Sequence, residues 1–257
     1  MARTLLDFSS DYQNIHLEKT REGVALYLDG FFQFGTDTEK TYHALIATLP
    51  LAMSALTGSA LILGGGDGLA LRNVLKYPVH RVVLVELDPA MVALAKRPPV
   101  SVINQRSFFD PRVETVIGDA KTVVPRLPDG AFDVIVADFP AATSPELKQL
   151  YTPEFYTEVF KKLSPGGVFV TQVSEPGDFT TVLREYLRKF LGHSFSFIAI
   201  TQKRDYESFT YGSRIPLVIR RGPTSDISPT LASHIGSALT AGKNVITLNQ
   251  SVRKNRV

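Results

Sequence analysis

The sequence predicts an α/β protein: a mainly parallel sheet with helices on both faces, preceded by a small N-terminal antiparallel β unit. Three observations carry that expectation. From Ala60 onward, short and nearly continuous apolar runs alternate with helical patterns, as strands buried on both faces do. The first 35 residues instead alternate apolar and polar with a period of two. Between the first apolar run and the first helical pattern lies "GGGDG", residues 64–68.

In the N-terminal unit, "NIHLEKT", "GVALYLDG" and "FFQF" read as strands, separated by turns at Arg21-Glu22-Gly23 and Asp29-Gly30. Asp-Gly is a strong hairpin signal because both residues tolerate positive φ. Thr36 followed by Glu39 has capping-box spacing and predicts the start of a helix carrying Tyr42 and His43. Pro50 is expected to open a second short helical piece. Strands are then expected at 60–63, 81–87, 113–117, 133–138, 167–172 and 195–200. Helices are expected over "GLALRNVLKY", "PAMVALAKR" and "EFYTEVFKKL", and "SPGG" at 164–167 reads as a helix stop before a strand. The organisation this implies is an N-terminal hairpin unit and linking helix over 1–57, then a nucleoside-binding α/β catalytic domain over 58–257.

Composition narrows the function. A length of 257 residues supports one sizeable domain, and 44% hydrophobic with 21% charged residues suits a folded globular chain. A net charge of +3 is too mild to point to nucleic acid, and "SVRKNRV" at 251–257 reads as a solvated tail. With no cysteine, a disulfide framework, a thiolate zinc site and a cysteine nucleophile are excluded, which fits a cytoplasmic protein. "MARTLLDFSSDYQ" lacks the apolar core of a signal peptide. Residues 44–63 carry no charge, yet Pro50, Gly58 and several hydroxyls divide them, so they read as core and not as a membrane span. His16 and His80 lack metal-ligand spacing and read as structural, so no metal is expected. Tyr206 and Tyr211 suit an amine pocket or packing equally.

Gly64, Gly65 and Gly66 between a strand and a helix let a ligand approach the backbone closely, although glycine turns also simply make tight loops. The neighbours strengthen the ligand reading. Glu86 ends the next strand twenty residues past Gly66, where a carboxylate can accept from both ribose hydroxyls. Asp119 follows the third strand, and Asp138 ends the fourth. Each of these, alone, also reads as a helix cap or turn residue. Together with Asp67 they converge just past the carboxyl ends of strands, where such sheets bind ligands. The turn lacks Gly-x-Gly-x-x-Gly spacing, and Asp67 would repel a phosphate. A carboxylate there suits a cation, such as an ammonium beside a sulfonium. That points to S-adenosylmethionine or its decarboxylated form, bound by a Rossmann-like sheet of methyltransferase type.

These residues also carry a family resemblance. In order, "YQNIHL", "LDGFFQF", "EKTYHALI", "LILGGGDGLALRNVLKYP", "VVLVELDPAMVALAK" and "DPRVETVIGDA" resemble the spermidine synthases, the polyamine aminopropyltransferases. "LYTPEFYTEVFKKLSPGGVFVTQVSEP" and "SFTYGSRIP" continue the likeness. The resemblance implies transfer of an aminopropyl group from decarboxylated S-adenosylmethionine, a co-substrate and not a resident cofactor, to an amine. It implies that Gln13, Gln33, His43 and Asp67 contact the aminopropyl and sulfonium end, that Glu86 holds the ribose, and that Asp119 with Ala120 holds the adenine. Tyr42, Asp138 and Gln172 would border the amine, and a homodimer is expected.

The chain departs from the family at the reacting centre. The pattern Asp-x-x-Asp-Pro reads Asp138-Phe139-Pro140-Ala141-Ala142, so its second aspartate is Ala141. Attack beside a sulfonium needs a neutral amine, and a carboxylate that accepts its proton typically contributes about 10²–10⁴-fold. Asp138 is the remaining candidate for acid–base work; Glu146, in the same loop, is a second candidate that also reads as a solvated helix-start residue. The family's Asp-Glu before Tyr-His is Thr38-Glu39, its glutamate after Tyr-His is Ala44, and its tryptophan near "SFTYGS" is missing. Two alternatives therefore stay open: a methyltransferase using S-adenosylmethionine on a small molecule, and a nucleoside-binding paralogue without catalysis.

Overall fold

The structure, a computed structural model, describes residues 2–140, 144–173, 196–202, 207–213, 229–241 and 245–248. Strand pairing divides these into two sheets. Arg3–Ser9 (β1), Asn14–Lys19 (β2), Val24–Leu28 (β3) and Phe31–Gly35 (β4) pair in chain order, each antiparallel to the next. Asp29 and Gly30 form the two-residue β3–β4 turn, both at positive φ (51° and 79°), as an Asp-Gly hairpin requires. Alternation sends Ile15, Leu17, Leu26 and Phe34 to the inner face, where they join the same buried cluster as Leu45, Leu49 and Leu71. His16, on the outer face, meets Asp7 and Tyr27.

The linker is helical from Glu39–His43 (α1) through a π-helical turn at Ala44–Thr48 to Leu49–Met53 (α2), with Pro50 in the first turn of α2 as expected. Residues 43–54 are buried throughout, and no helix among the described residues is long and apolar enough to cross a membrane. The capping box expected at Thr36 is not formed. The Thr36 hydroxyl accepts from Val24 N (3.1 Å), which closes the β3–β4 hairpin, while Glu39 turns inward. The helix N-cap is Thr38, whose hydroxyl donates to the Gly35 carbonyl (3.4 Å) and makes no capping bond to the helix.

The second sheet has its parallel core in Ser59–Gly64 (β5), Arg81–Glu86 (β6), Val113–Ile117 (β7), Phe132–Asp138 (β8) and Leu163–Val173 (β9), ordered β9-β8-β5-β6-β7. The crossovers carry Leu69–Val74 (α3), Pro89–Ala95 (α4), Val100–Ile103 (α5), Ala120–Val123 (α6), Pro145–Lys148 (α7) and Pro153–Lys162 (α8). Asp88, Ser144 and Thr152 cap α4, α7 and α8, each followed by a proline that has no N–H to satisfy. Successive strand residues go to opposite faces. Ala60, Ile62, Val82, Leu84, Val134 and Val136 pack with α3, α4 and the N-terminal sheet; Leu61, Leu63, Val83, Val85, Ile135 and Ala137 pack with α8. Burial on both sides is what made these strands read as continuous apolar runs.

Beyond β9 the sheet is less parallel than the sequence suggests. Ser196–Gln202 (β10) and Glu207–Ser213 (β11) form an antiparallel hairpin, and β11 inserts beside β9, also antiparallel. Pro229–Thr240 (α9) follows, and Val245–Leu248 (β12) adds parallel to β10 at the edge. "SPGG" lies inside β9, which begins directly after α8, so it is a bulged strand start and not a loop. Tyr211 is fully buried and donates to the Leu45 carbonyl (2.7 Å), which makes it a core residue; Tyr206 and the basic tail lie outside the described residues.

Candidate active site

The strand order reverses between β5 and β8: β6 and β7 lie to one side of β5, and β8 and β9 to the other. The carboxyl ends of strands at such a switch point leave a crevice. Register pairs Gly64 with Asp138 across it, the last residues of the two strands. Gly64 and Gly65 take φ of +79° and +67°. A Cβ on Gly64 would run into the Asp138 carbonyl, and one on Gly66 would lie 2.6 Å from Glu86 Oε2. The glycines are needed because two carboxylate-bearing strand ends press on the turn from either side.

Each carboxylate is held by backbone or by a neutral partner. Asp67 Oδ1 accepts from Leu69 N (2.8 Å) at the start of α3, and its carbonyl accepts from Asn104 Nδ2 (2.8 Å). Glu86 Oε1 accepts from Asp88 N (3.0 Å). The Asp88 carboxylate, besides capping α4, accepts from Gln13 Nε2 (2.8 Å) and Ser10 Oγ (2.7 Å), so the N-terminal sheet is tied to the loop that carries Glu86. Asp138 Oδ1 accepts from the Tyr42 hydroxyl (2.5 Å), which also lies 2.8 Å from the Gln172 side-chain amide. A phenol has one proton, so both contacts are satisfied when the amide turns its N–H toward Tyr42.

None of Asp67, Glu86 and Asp138 pairs with a lysine or arginine among the described residues. Burial therefore governs their charge and raises all three. Glu86 is pushed up to about 7, with backbone hydrogen bonds from Asp88 and Leu87 only partly offsetting the loss of water. Asp138 is pushed up to about 6 by burial, against the His43 ring and the Tyr42 hydrogen bond. Asp67 is raised by burial, opposed mainly by His43. Burial works against the charged form of His43 too, but the Glu39 hydrogen bond and the Asp67 and Asp138 carboxylates outweigh it, so its pKa is raised.

Of the residues singled out in the sequence, Gln13, Tyr42, His43, the glycine turn, Asp67, Glu86, Asp138 and Gln172 are thus linked by contact or by field. Gln33 stands apart: it is the extra residue of a β3–β4 bulge, and its amide folds back on the Phe31 carbonyl (3.1 Å). Asp119 caps α6 by accepting from Lys121 N (2.8 Å), and Ala120 is the first buried residue of that helix. Glu146 is exposed in the first turn of α7. Ala141 lies outside the described residues.

The sequence reading missed the group behind the site. Arg72, on the buried α3, grips Glu39 with both terminal nitrogens (3.0 and 2.8 Å), and Glu39 Oε2 meets His43 Nδ1 (3.0 Å). The signal was an arginine amid Leu69, Ala70, Leu71 and Val74, since a buried guanidinium demands a buried carboxylate. On the far side of Arg72 lies a cavity of about 410 Å³, also lined by Lys76, Asn104, Arg106 and Arg112 and by none of the sequence-predicted site residues.

The spermine/spermidine synthase domain model matches residues 39–204. A polyamine aminopropyltransferase 2 of Bacillus cereus is 41% identical over 68% of this chain and 48% of its own length. One from Aquifex aeolicus is 38% identical over 64% of this chain and 33% of its own. The chain thus spans about half the length, or less, of these curated relatives. Among solved structures, a spermidine synthase in complex with the transition-state analogue AdoDATO superposes with a TM-score of 0.75 at 27% identity, covering 89% of this chain and 78% of that one.

Proposed function

The chain belongs to the spermine/spermidine synthase family, and on that premise we propose that it moves an aminopropyl group from decarboxylated S-adenosylmethionine to a polyamine amine, releasing methylthioadenosine. The observation that carries this reading is the set of Asp67, Glu86 and Asp138, gathered at the switch point with no lysine or arginine partner among the described residues. Half-buried carboxylates without a lysine or arginine partner favour a ligand that brings positive charge. The donor brings a sulfonium and an ammonium, and the acceptor brings more ammonium groups.

In this reading Asp67 receives the donor's ammonium, with His43 and Gln13 beside it, and Glu86 accepts from the ribose hydroxyls. Asp119 uses Oδ1 for the α6 cap, which leaves Oδ2 for the adenine amino group above Ala120. Gln33, whose amide rests on the Phe31 carbonyl, is assigned to the donor by the family resemblance alone. The acceptor nitrogen, neutral at the moment of attack, forms a bond to the carbon beside sulfur. The carbon–sulfur bond breaks, its electron pair stays on sulfur, and methylthioadenosine leaves as a neutral thioether. The new secondary ammonium passes a proton to Asp138. A carboxyl near 6 takes that proton more readily than one at the ordinary aspartate value, and Tyr42 with Gln172 holds it in place.

Incubation with the decarboxylated donor and putrescine, cadaverine, spermidine or agmatine should release methylthioadenosine only when the amine is present, read by mass spectrometry. Asp138→Asn should lower turnover by about 10²-fold or more. Unchanged turnover in that variant would remove Asp138 from its role, and S-adenosylhomocysteine formed from S-adenosylmethionine would turn the reading to methyl transfer. Ala141 favours one second reading, a nucleoside-binding protein without catalysis; tight methylthioadenosine binding with no turnover of any amine would support it. The same proposal takes the protein as a cytoplasmic homodimer that acts without nucleic acid or membrane, and light scattering tests the dimer.

A further inference from the structure

Behind the carboxylates runs a buried chain that the transfer step does not touch. Arg72 is anchored at every nitrogen: Nη1 to Glu39 Oε1 (3.0 Å) and the Ile103 carbonyl (3.1 Å), Nη2 to Glu39 Oε2 (2.8 Å), and Nε to Asn73 Oδ1 (3.0 Å). Glu39 Oε2 then meets His43 Nδ1 at 3.0 Å, and the Glu39 carbonyl meets the same nitrogen at 2.8 Å. Both partners of Nδ1 are acceptors only, so Nδ1 carries a proton whether the ring is neutral or charged. Nε2 is therefore the ring atom that titrates. The ring packs edge to face on Tyr42 (4.9 Å between centroids), whose hydroxyl is on Asp138.

We propose that Arg72 is a positioning residue: by gripping Glu39 in a two-point fork, it fixes the His43 ring with Nδ1 protonated and leaves Nε2 as the exchanging atom. The groups acting on the ring come from three elements: Glu39 on its own helix, Asp67 after β5 and Asp138 at the end of β8, with Arg72 acting through Glu39. The ring geometry does not rest on the proposed function.

The test exploits the cavity behind Arg72. Truncation by Arg72→Ala joins the lost side-chain volume to the space of about 410 Å³ that Arg72 lines, which a free guanidinium ion can enter. Two-bond proton–nitrogen correlation spectra of the full chain, with the His43 signals assigned by His43→Gln, report which ring nitrogen is protonated. In the wild type at alkaline pH the Nδ1–H tautomer is expected. Arg72→Ala should show a mixture, and millimolar guanidinium, far below denaturing concentrations, should restore the single tautomer. Glu39→Gln should show a mixture that guanidinium leaves unchanged.

Transfer from the nucleoside donor should follow the same pattern, with kcat/KM falling about tenfold or more in Arg72→Ala and recovering with guanidinium. If Arg72→Ala does not fold, Arg72→Lys keeps the charge without the fork and should show a partial tautomer mixture. An Nε2–H tautomer in the wild type, or an unperturbed ring in both Arg72 variants, would overturn the proposal. The expected spectra without any transfer activity would sustain it and count against the proposed reaction alone.

Discussion

Glu39 and Glu86 are the same residue type, one buried and the other half-buried, yet they are held at opposite ends of the carboxylate range. Burial pushes each up. For Glu39 the hydrogen bonds from His43 and Arg72 overcome that push and hold it at about 2. Glu86 has only backbone N–H partners and stays at about 7. One glutamate has its counter-ion inside the protein; the other has backbone hydrogen bonds and no cationic partner among the described residues. In the proposed reading, that contrast separates scaffold from binding site.

The comparison breaks most visibly at Glu39. Glu39→Gln would leave the Arg72 guanidinium buried without a charge partner, which costs about 3–5 kcal/mol. Denaturant unfolding at pH 7 should show that loss. A group whose folded pKa is lowered contributes stability above its unfolded value of 4.5 and loses it as the pH falls through about 2, so the difference between variant and wild type should fade over that window. A cost below about 1 kcal/mol at pH 7 would place the pair among ordinary surface ion pairs.

Glu86 should behave in the opposite sense. Its folded pKa lies above its unfolded one, so the protonated form is the comfortable one, and ionisation costs stability as the pH rises from 4.5 through about 7. Glu86→Gln should therefore stabilise the unliganded protein at pH 8, by about 3 kcal/mol, and leave it unchanged at pH 4. Thermal unfolding at the two pH values checks this, and the same variant should lose affinity for the nucleoside. A smaller intervention reaches the same carboxylate from the turn. Gly66 is not at positive φ, so Gly66→Ala strains no backbone, but its methyl would lie 2.6 Å from Glu86 Oε2. The end of a glutamate side chain can swing away, so unfolding should change little. Methylthioadenosine affinity, read by calorimetry, should fall about tenfold, near 1.4 kcal/mol.

What was legible in the sequence follows from how local the signal is. The turn, Glu86 and Asp138 could be read because a doubly buried strand, its end and the next helix are adjacent in the chain. Arg72 and Glu39 lie 33 residues apart, and no pattern along the chain reveals that they form a pair. β1 was missed because its pairing slips between Thr4 and Leu6, where a bulge puts two leucines in succession and breaks the period-two signature. β11 reads "ESFTYGS", with Phe209 and Tyr211 its two large apolar residues, and β12 has four residues, so neither carries enough apolar pattern. The Thr36 capping box matched in spacing and failed in structure because the same hydroxyl closes a hairpin from twelve residues earlier. Ala141, where the chain departs from its family, was legible as a substitution only.

Asp138 stands between the two glutamates, and it offers the finest test of the contrast. It has no lysine or arginine partner among the described residues, but it does have the Tyr42 hydroxyl, and it sits at about 6, below Glu86. If partners set these values, Tyr42→Phe should remove one stabiliser of the charged form and move Asp138 further up. The effect is that of a single hydrogen bond to a charged group, about 1.5–3 kcal/mol and so about one to two pH units. The acidic limb of the rate–pH profile should shift upward by that amount, with the alkaline limb unmoved. Because Gln172 meets the same phenol, Gln172→Leu should give a weaker shift in the same direction, and the two changes together should fall short of their sum. An acidic limb that stays in place in Tyr42→Phe would mean that burial alone, and not the presence or absence of a partner, sets the charge at the reacting centre.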